Sequence, residues 1–409
     1  MSETAKTIHT KETTVRRLSV TTTLFVLVII SSTIDMTGAN SVFHVITVVP
    51  LVFLFGAAAV LESDSIGIPR YALVAYAVLW MIYLFHALIP PLSIWTLGRI
   101  PILLATSFIL LFIAPQTIDL DEFLYVLYLF PVILTLLGLP TLFLGEYHLV
   151  GVVVAPHDVS KQLPLLNVRV MPVKSVLSNP NPFGFVSGLG FVSGLSFYYR
   201  RRQATDLLLL TILIGGVIFS ASRGALITTA IGAGLVLLYN YFDYWGVYTL
   251  ITAGFLGFIY LIAIGLGYLP DYIDIPNLIP ARIRLWTAAL KAIWANPIFG
   301  IGFQPVGNTV APYLPAGETT NNIHSTYLYV ILTRGVVGGI VHFGFLALVY
   351  QNCLTGLRDV RSTALFAILT MVLIEMLFEG LAMFGLSLFS VIPALTFGFA
   401  LVQIPALDR

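Results

Sequence analysis

Ala281-Arg-Ile-Arg-Leu-Trp286 and Asn322-Ile-His324 lie within residues 269–325, a long polar interruption in an otherwise apolar chain. On either side of this stretch the chain consists of apolar runs, most of them joined by connections of a few residues. Two arginines, a histidine and a tryptophan gathered outside a membrane serve packing poorly. We therefore expect the function of the chain to reside in this stretch.

The composition is that of an integral membrane protein. Of the 409 residues, 58% are hydrophobic and only 10% are charged, whereas about a quarter are charged in a typical soluble domain. The 20 basic and 19 acidic side chains nearly cancel, so no overall charge favours binding to nucleic acid. The single cysteine, Cys353, excludes an intramolecular disulfide. Because metal-ligand spacings and nucleotide-binding loops are lacking in the sequence, we predict no metal and no cofactor.

The apolar runs predict an all-α membrane protein with about twelve transmembrane helices, since a spanning helix needs about 20 apolar residues. The runs cover residues 19–35, 41–61, 70–89, 100–116, 123–145, 183–199, 205–221, 225–242, 246–268, 325–350, 363–380 and 382–403. The last two runs also fit one re-entrant element, which would leave eleven spans. The predicted organisation is a five-helix N-terminal region (1–145), a first loop (146–182), central helices (183–268), a second loop (269–324) and C-terminal helices (325–409).

The placement of lysine and arginine predicts that both termini are cytoplasmic. Basic residues are then enriched in the inside segments, as the positive-inside rule requires. The triplet Arg200, Arg201 and Arg202, directly after an apolar run, is the firmest anchor. Both loops face outward in this orientation. We expect a multi-pass protein of the cell membrane with its functional groups on the outer face.

The two loops differ in their predicted local structure. The first contains Val152-Val-Val154, three prolines and the alternating Asn167-Val-Arg-Val170, which favour extended chain. The second has a helical pattern from residue 282 to residue 295, ended by Asn296-Pro297. Gly300, Gly302 and Gly307 then predict a flexible turn region. An amphipathic helix over the outer face would cover the mouth of a cavity between spans.

Arg223 stands in Ser220-Ala-Ser-Arg-Gly224, a break of small residues between two apolar runs. One interpretation is an arginine that snorkels at a tight outer turn. The other is an anion clamp, because a guanidinium binds phosphate oxygens bidentately. In that case Ser222 and the backbone of Gly224 would allow a headgroup to approach closely.

Arg282, Arg284 and Trp286 follow one another in the predicted loop helix. Two residues apart on a helix, the arginines point roughly 200° away from each other, so both face one ligand only if the helix begins between them. Trp286 lies one turn after Arg282 on the same face, where it would stack on a sugar ring or on the arginine. The alternative is a solvated loop helix with an interfacial tryptophan.

His324 is the candidate general base. It stands just before the tenth predicted span, flanked by Asn321, Asn322 and Ser325, and an imidazole accepts a hydroxyl proton near neutral pH. A lone histidine at a membrane interface is more often structural, but its place at the end of the polar loop favours a role in chemistry.

Two other groups are predicted from local spacing. Ser178-Asn-Pro-Asn-Pro-Phe-Gly184 indicates a helix start with Asn181 as the cap and Pro182 at the first helical position. Glu375 and Glu379, four residues apart on one helical face, are the carboxylates of the eleventh predicted span. They would pair with Arg334 or Arg223 around a polar cavity, or relay protons or cations.

Taken together, these segments resemble the O-antigen ligase and polymerase superfamily of membrane glycosyltransferases. The resemblance covers roughly residues 175–345, and each of its pieces is weak when taken alone. The matching pieces, in order, are Ser178-Asn-Pro-Asn-Pro-Phe-Gly184, Ser222-Arg-Gly-Ala-Leu226, Arg282 with Trp286, Asn296-Pro-Ile-Phe-Gly-Ile-Gly302, His324-Ser-Thr-Tyr327 and Arg334-Gly-Val-Val-Gly338.

The resemblance implies a GT-C-like fold and an enzyme that works in the bilayer without a metal. Such enzymes move a glycan from a polyprenyl (pyro)phosphate carrier to a hydroxyl of a glycan, a lipid-core sugar or a protein. Arg223 and Arg282 would hold the carrier's phosphates, and His324 would act as the base. The other implied or inferred substrate-binding residues are Asn181, Ser222, Arg284, Trp286, Asn322, Tyr327 and Arg334.

The sequence departs from the family pattern at two positions. Ser325 follows the histidine where the family commonly has asparagine, and Arg334 precedes Gly335 where an acidic residue is common. An added cation would assist phosphate binding, replace a missing arginine, or indicate a different donor such as a monophosphate-linked dolichol glycan.

Within the superfamily, the alternatives to a ligase are a polysaccharide polymerase and a protein O-oligosaccharyltransferase. From a different class, a multi-span transporter or flippase of a lipid-linked substrate fits the bulk composition equally well. A transporter usually shows repeats between its halves, which this sequence lacks, and has little need for a loop helix that carries arginine and tryptophan. The transferase is therefore the favoured interpretation.

Overall fold

The computed structural model describes residues 19–37, 41–63, 65–87, 94–149, 152–163, 168–265, 280–320 and 322–402, and most of them are helical. The α-helices are Val20–Ser32, Ser41–Glu62, Arg70–Ala87, Ile94–Phe108, Ala114–Thr117, Leu120–Gly138, Thr141–Leu144, Pro180–Arg201, Ala204–Phe219, Arg223–Gly265, Pro280–Ala295, Val306–Val310, Thr326–Thr355, Val360–Phe378 and Leu388–Val402. A π-helical turn, Ile109–Ile113, and two 3-10 turns, Ile34–Thr37 and Ala311–Tyr313, complete the helical structure described.

Seven of the described helices are long and apolar enough to cross a membrane, and three shorter apolar helices accompany them. The first helix, Val20–Ser32, has 13 residues. At 1.5 Å per residue it is about 20 Å long, less than the roughly 30 Å of a hydrocarbon core. The chain is a multi-pass, helical membrane protein. The count of twelve spans, the GT-C-like architecture and the domain boundaries remain predictions.

The helical stretch Arg223–Gly265 reverses direction at Asp243, where φ is 51° and ψ is −142°. Beyond the reversal Leu250 packs beside Gly234, since a Cβ added there would lie 3.2 Å from the leucine side chain. A straight helix would separate these two positions by about 24 Å. The two halves are therefore an antiparallel pair, which accounts for the separate apolar runs 225–242 and 246–268.

The helix Pro180–Arg201 lies at the centre of the bundle, and its glycines let neighbouring helices approach closely. A side chain at Gly188 would collide with Thr229, and one at Gly194 would collide with the ring of Tyr128. This confirms the packing role predicted for the glycines of this segment, and small residues at such contacts are typical of membrane helices.

The helix Thr326–Thr355 is broken at Gly335, which has φ 66° and ψ −173°. Irregular backbone at such a position needs substitute hydrogen bonds, and the second loop supplies them. The four bonds join Ile301 N–H to Leu332 O and Gly302 N–H to Thr333 O at 2.9 Å each, Val336 N–H to Pro297 O at 2.8 Å, and Val337 N–H to Ile298 O at 3.3 Å. The second loop is thereby fixed to this helix.

The loops largely follow the predicted local structure. The first contains two short antiparallel hairpins, Tyr147–Leu149 with Val152–Val154 and Lys161–Gln162 with Arg169–Val170, so the prediction of extended chain is confirmed. In the second, the helix Pro280–Ala295 ends before Asn296 as predicted. The turn predicted at Gly307 is wrong, because that glycine lies within the short helix Val306–Val310.

Candidate functional site

The carboxylate of Glu379 is the hub of a polar cluster where four segments of the chain meet. Its Oε1 accepts from Arg282 Nη2 and from Asn181 Nδ2, both at 2.9 Å. Its Oε2 lies 3.1 Å from Nδ1 of His324. Glu379 follows directly after the helix Val360–Phe378, and its side chain is 10% exposed. A single buried carboxylate thus positions an arginine, an amide and an imidazole.

The backbone around His324 is shaped to present the imidazole to this carboxylate. His324 has φ of 49°, a left-handed conformation that residues other than glycine rarely adopt. The Oδ1 atom of Asn322 stabilises this turn by accepting from the His324 N–H at 2.8 Å, and Arg282 Nη1 donates to the His324 carbonyl at 3.3 Å. Strain of this kind persists where the surroundings impose it, commonly at functional sites.

The start of the helix Thr326–Thr355 holds the histidine segment in place. Ser325 caps Thr326–Thr355, and its side chain accepts from the N–H of Leu328. The hydroxyl of Thr326 lies 3.0 Å from the carbonyls of both Glu379 and Leu381. The segments that carry His324 and Glu379 are therefore tied together through their backbones as well as through their side chains.

The second-loop helix Pro280–Ala295 places Arg282. Its small residues Ala288, Ala289 and Ala292 are buried in a cluster with Ile301 and Leu332. One turn after Arg282, Trp286 packs against Phe378, with ring centroids 6.4 Å apart. Phe378 immediately precedes Glu379, so the tryptophan packs this helix beside the hub; substrate binding by Trp286 remains a prediction.

The electrostatics of the cluster keep Glu379 ionised. Burial alone would raise the pKa of this carboxyl, but the hydrogen bond from His324 and the charge and hydrogen bond of Arg282 outweigh that effect and hold the pKa below its usual value. The carboxylate can therefore accept hydrogen bonds from Arg282 and from the imidazole of His324 at neutral pH.

Lys161 of the first loop also belongs to this electrostatic environment. The side chain is half-buried in the hairpin strand Lys161–Gln162. Burial lowers the pKa of its amino group, the charge of Glu379 opposes that shift, and the charge of Arg282 adds to it. Both loops therefore lie on one side of the helices and approach the same site, which leaves more than one cation near a single carboxylate.

This arrangement can perform base chemistry next to an anion site. With Glu379 accepting from the Nδ1–H of His324, Nε2 is left as the proton acceptor. The imidazole is 39% exposed and makes no other side-chain hydrogen bond within the described part of the chain. An oriented base beside partly buried cations suits the attack of a hydroxyl on a group that departs as an anion.

Arg223 and Ser222 lie at the edge of the cluster. Ser222 is buried, and its hydroxyl accepts from the N–H of Ala225 at 3.3 Å, so it caps the helix that Arg223 begins. Gly224 packs against Glu375, at 3.5 Å from where its Cβ would be, one helical turn before Glu379. The Arg223 side chain is exposed. Its role as a phosphate clamp remains a prediction.

Asn181 differs from its predicted role in the helix start. The cap is Asn179, whose side chain accepts from the Asn181 N–H at 2.9 Å, and Pro180 occupies the first helical position. The prediction of Asn181 as cap with Pro182 next to it is therefore wrong by two residues. Extended backbone at Asn179 lets its side chain reach the helix terminus, and Asn181 is left to bind Glu379.

Two further candidates do not contact the hub. Arg284 points away from Arg282, as their spacing requires, and its guanidinium lies 3.6 Å from Glu318 of the same loop. The Tyr327 hydroxyl donates to the carbonyl of Leu373 at 2.7 Å. Substrate binding by either residue remains a prediction.

Arg334 lies apart from the cluster. Its guanidinium packs against the rings of Tyr83 and Phe303, at 3.9 and 4.4 Å from the ring centroids. The sequence suggested that Glu375 or Glu379 would pair with Arg334 or Arg223, but the ion pair that forms at Glu379 is with Arg282. Arg282 reaches Glu379 because the second-loop helix packs beside Phe378, whereas Arg334 contacts Tyr83 and Phe303.

The central position of Glu379 and the proximity of Lys161 to it were not predicted from the sequence. The available signal for Glu379 was a carboxylate at the end of an apolar run, four residues after another. For Lys161 there was none, since its approach to the site depends on how the first loop folds. Among the described residues, no three His, Cys, Asp or Glu side chains are grouped so as to hold a metal ion.

Comparison with known proteins finds one family model that matches part of the chain. Residues 208–343 match the family model described as O-antigen ligase, which confirms the resemblance noted in the sequence. The matched region includes Arg223, Arg282, His324 and Arg334 but ends before Glu379. No curated protein matches the chain. At the level of the family, the match supports an O-antigen ligase-like membrane glycosyltransferase with lipid-linked glycan substrates.

Proposed function

We propose that this protein transfers a glycan from a polyprenyl (pyro)phosphate carrier to an acceptor hydroxyl on the outer face of the cell membrane. The observation that carries the proposal is the shared carboxylate of Glu379, which orients His324 as a base and holds Arg282 at the same point. The O-antigen ligase match over residues 208–343 supports the choice of substrate class.

In the proposed reaction, Nε2 of His324 removes the proton of the acceptor hydroxyl. The acceptor oxygen attacks the anomeric carbon of the donor sugar and forms the new glycosidic bond. The bond between that carbon and the carrier's phosphate oxygen breaks, and the carrier leaves with the electron pair. Donors preorganised where this charge develops lower the barrier. Arg282, Arg223 and Lys161 are the cations placed to supply them.

Glu379 is the positioning residue in this scheme. Its carboxylate fixes the tautomer and the orientation of the imidazole, as carboxylates do in other histidine-dependent enzymes. It also stabilises the imidazolium that forms once the proton has been taken. The pairing further holds Arg282 in place before the donor arrives, so the cation needs no rearrangement during the reaction.

A ligase, a polymerase and a protein O-oligosaccharyltransferase would share this machinery. All three require a base and a phosphate site, and they differ in the acceptor that presents the hydroxyl. The roles proposed for His324 and Arg282 concern the proton and the donor, so the proposal covers the reaction common to the three enzymes.

Glycan transfer by the purified protein tests the proposal. The assay uses a polyprenyl-pyrophosphate-linked oligosaccharide with sugar, lipid-core and protein acceptors, and contains EDTA because the proposed chemistry uses no metal. Arg282→Ala should abolish transfer, whereas Lys291→Ala, an exposed cation on the same helix, should not. Carrier binding without transfer to any acceptor would instead favour the flippase. Equal transfer by Arg282→Ala and the native protein would contradict the clamp.

A further inference from the structure

Arg334 is a buried cation with two guanidinium nitrogens that are left without partners. The residue is 6% exposed. Its Nε and Nη1 atoms are buried, and within the described part of the chain neither has a hydrogen-bond partner. No carboxylate of the described residues forms an ion pair with it. Tyr83 and Phe303 contact the guanidinium, so its unsatisfied N–H groups are the feature that requires an explanation.

The two rings stabilise the charge, since a cation over an aromatic face is attracted by the ring, but they do not replace oxygen acceptors for the unpartnered N–H groups. An unpaired buried charge is strongly unfavourable, and an unsatisfied buried polar group in a native protein indicates a missing water, ion or ligand. The planar fork of a guanidinium binds a carboxylate or phosphate bidentately.

The position of Arg334 separates it from the hub. It is eight residues into the helix that begins at Thr326, or about 12 Å along the helix axis from its start. Tyr83 is four residues before the end of the helix Arg70–Ala87, about 6 Å from that terminus. Arg334 and Tyr83 therefore lie in the halves of their helices that face the two loops.

The helix break fixes the backbone next to Arg334. Gly335, the next residue, is clamped against Pro297 and Ile298 of the second loop. His86 Nε2 contacts the carbonyl of Phe299 and joins the same loop segment to the helix that carries Tyr83. Phe303, which contacts the guanidinium, is 40% exposed. A lipid phosphate would therefore approach the buried arginine past the ring of Phe303.

We propose that Arg334, Tyr83 and Phe303 form a second phosphate site, distinct from the His324–Glu379 hub, which holds the phosphate of the acceptor. The acceptor is then a phosphate-bearing lipid whose sugars extend from Arg334 towards His324. The assignment to the acceptor rests on the proposed function, whereas the existence of a lipid phosphate site does not. The same phosphate chemistry could come from a polyprenyl phosphate, a glycerophospholipid or free phosphate, and the test separates these sources.

The test counts phosphate sites in the full chain purified in an uncharged detergent. Equilibrium binding is measured with farnesyl phosphate, dihexanoyl phosphatidate and inorganic phosphate. The native protein should bind two farnesyl phosphates, one at each site. Arg334→Gln should bind one, with affinity at the other site reduced by about tenfold or more, the range for a lost hydrogen bond to a charged group. Lys291→Gln, the matched control, should bind two.

The variants distinguish failure of this inference from failure of the proposed function. If Arg282→Gln keeps both sites and Arg334→Gln loses one, the second site stands and the proposed clamp at Arg282 is wrong. If Arg334→Gln binds as many farnesyl phosphates as the native protein, the second site is refuted. Tighter binding of phosphatidate, or equal binding of inorganic phosphate, would overturn the assignment to a polyprenyl-linked acceptor.

Folding of the variant does not limit the test. If Arg334→Gln is not recovered as a folded protein, the stoichiometry of the native chain decides, because a single farnesyl phosphate per chain contradicts the proposal. Arg334→Lys, which keeps the charge but not the fork, should retain the second site with weaker binding. In the transfer assay Arg334→Gln should raise the KM for a phosphate-bearing lipid acceptor by about tenfold with little change in kcat.

Discussion

Nδ1 of His324 lies 3.1 Å from Oε2 of Glu379, 55 residues further along the chain, and the other oxygen of that carboxylate holds Arg282 at 2.9 Å. The base and one phosphate-binding cation of the proposed reaction are therefore positioned by a single side chain. This coupling predicts that changes at Glu379 affect proton transfer and charge stabilisation together.

Glu379→Gln should lower kcat by about two to three orders of magnitude, the range for the loss of positioned acid–base catalysis. The amide keeps the shape of the side chain. It accepts hydrogen bonds through its oxygen but not through its nitrogen, and it does not stabilise an imidazolium. Steady-state transfer kinetics measure the effect. Glu318→Gln is the control, because the Glu318 carboxylate is exposed and pairs with Arg284 at the surface of the loop. A variant at Glu379 with native kcat would disprove the positioning role.

Arg282→Lys should also impair transfer, by about tenfold or more. A lysine ammonium is a point charge on a flexible stem and does not reproduce the fork, which donates to both Glu379 and the His324 carbonyl. The kcat of the variant is compared with that of Lys291→Arg, a substitution on the exposed side of the same helix. Native activity with lysine would mean that charge alone is required at residue 282.

Asn322→Ala should reduce kcat by about tenfold without a large change in thermal stability. The side chain of Asn322 supports the left-handed backbone of His324 through one hydrogen bond, and a hydrogen bond of this type contributes about 1 kcal/mol. Asn308→Ala, at an exposed position of the second loop, is the matched control. Unchanged kcat would show that the turn holds without this bond.

The pH dependence of stability should reveal the protonation of the Glu379 carboxylate. Because the folded-state pKa of this carboxyl is below its ordinary value of 4.5, its interactions stabilise the protein above that value and are lost as the pH falls through the folded-state pKa. The melting temperatures of the native protein and Glu379→Gln, measured from pH 7 to pH 3, should therefore converge at low pH. A difference that stays constant over this range would contradict the depressed pKa.

Gly335→Ala should destabilise the protein through the break in Thr326–Thr355. A left-handed backbone alone costs about 1–3 kcal/mol for other residues, and the added methyl group would collide with the carbonyl of Ile298. Gly344→Ala in the same helix meets nothing within 4 Å and should leave the melting temperature unchanged or slightly higher. Equal melting temperatures for the two variants would show that the contacts between the second loop and the helix break do not stabilise the protein.

The sequence predicted the features that depend on local spacing. The loop helix, its end at Asn296-Pro297 and the opposite directions of Arg282 and Arg284 all follow from the period of an α-helix. The extended chain of the first loop follows from its prolines and alternating pattern. These elements place His324 and Arg282 in the same loop before any tertiary contact is known.

The features that the sequence did not predict depend on contacts between distant segments. Glu379 becomes the hub only because the second-loop helix and the histidine segment converge on the end of Val360–Phe378. Arg334 contacts Tyr83, which lies in a helix much earlier in the chain, and no sequence periodicity predicts such a contact. The misplaced cap at Asn181 has a local cause, since Asn179-Pro180 and Asn181-Pro182 are equivalent as helix starts in sequence.

The most direct test of the account is the transfer kinetics of His324→Ala with the polyprenyl-pyrophosphate-linked donor at varied concentration. The account predicts that kcat falls by about two orders of magnitude or more while binding of the donor is nearly unchanged, because His324 acts on the acceptor hydroxyl. Native kcat with weakened donor binding would contradict it, and would make His324 a ligand of the carrier instead of the base.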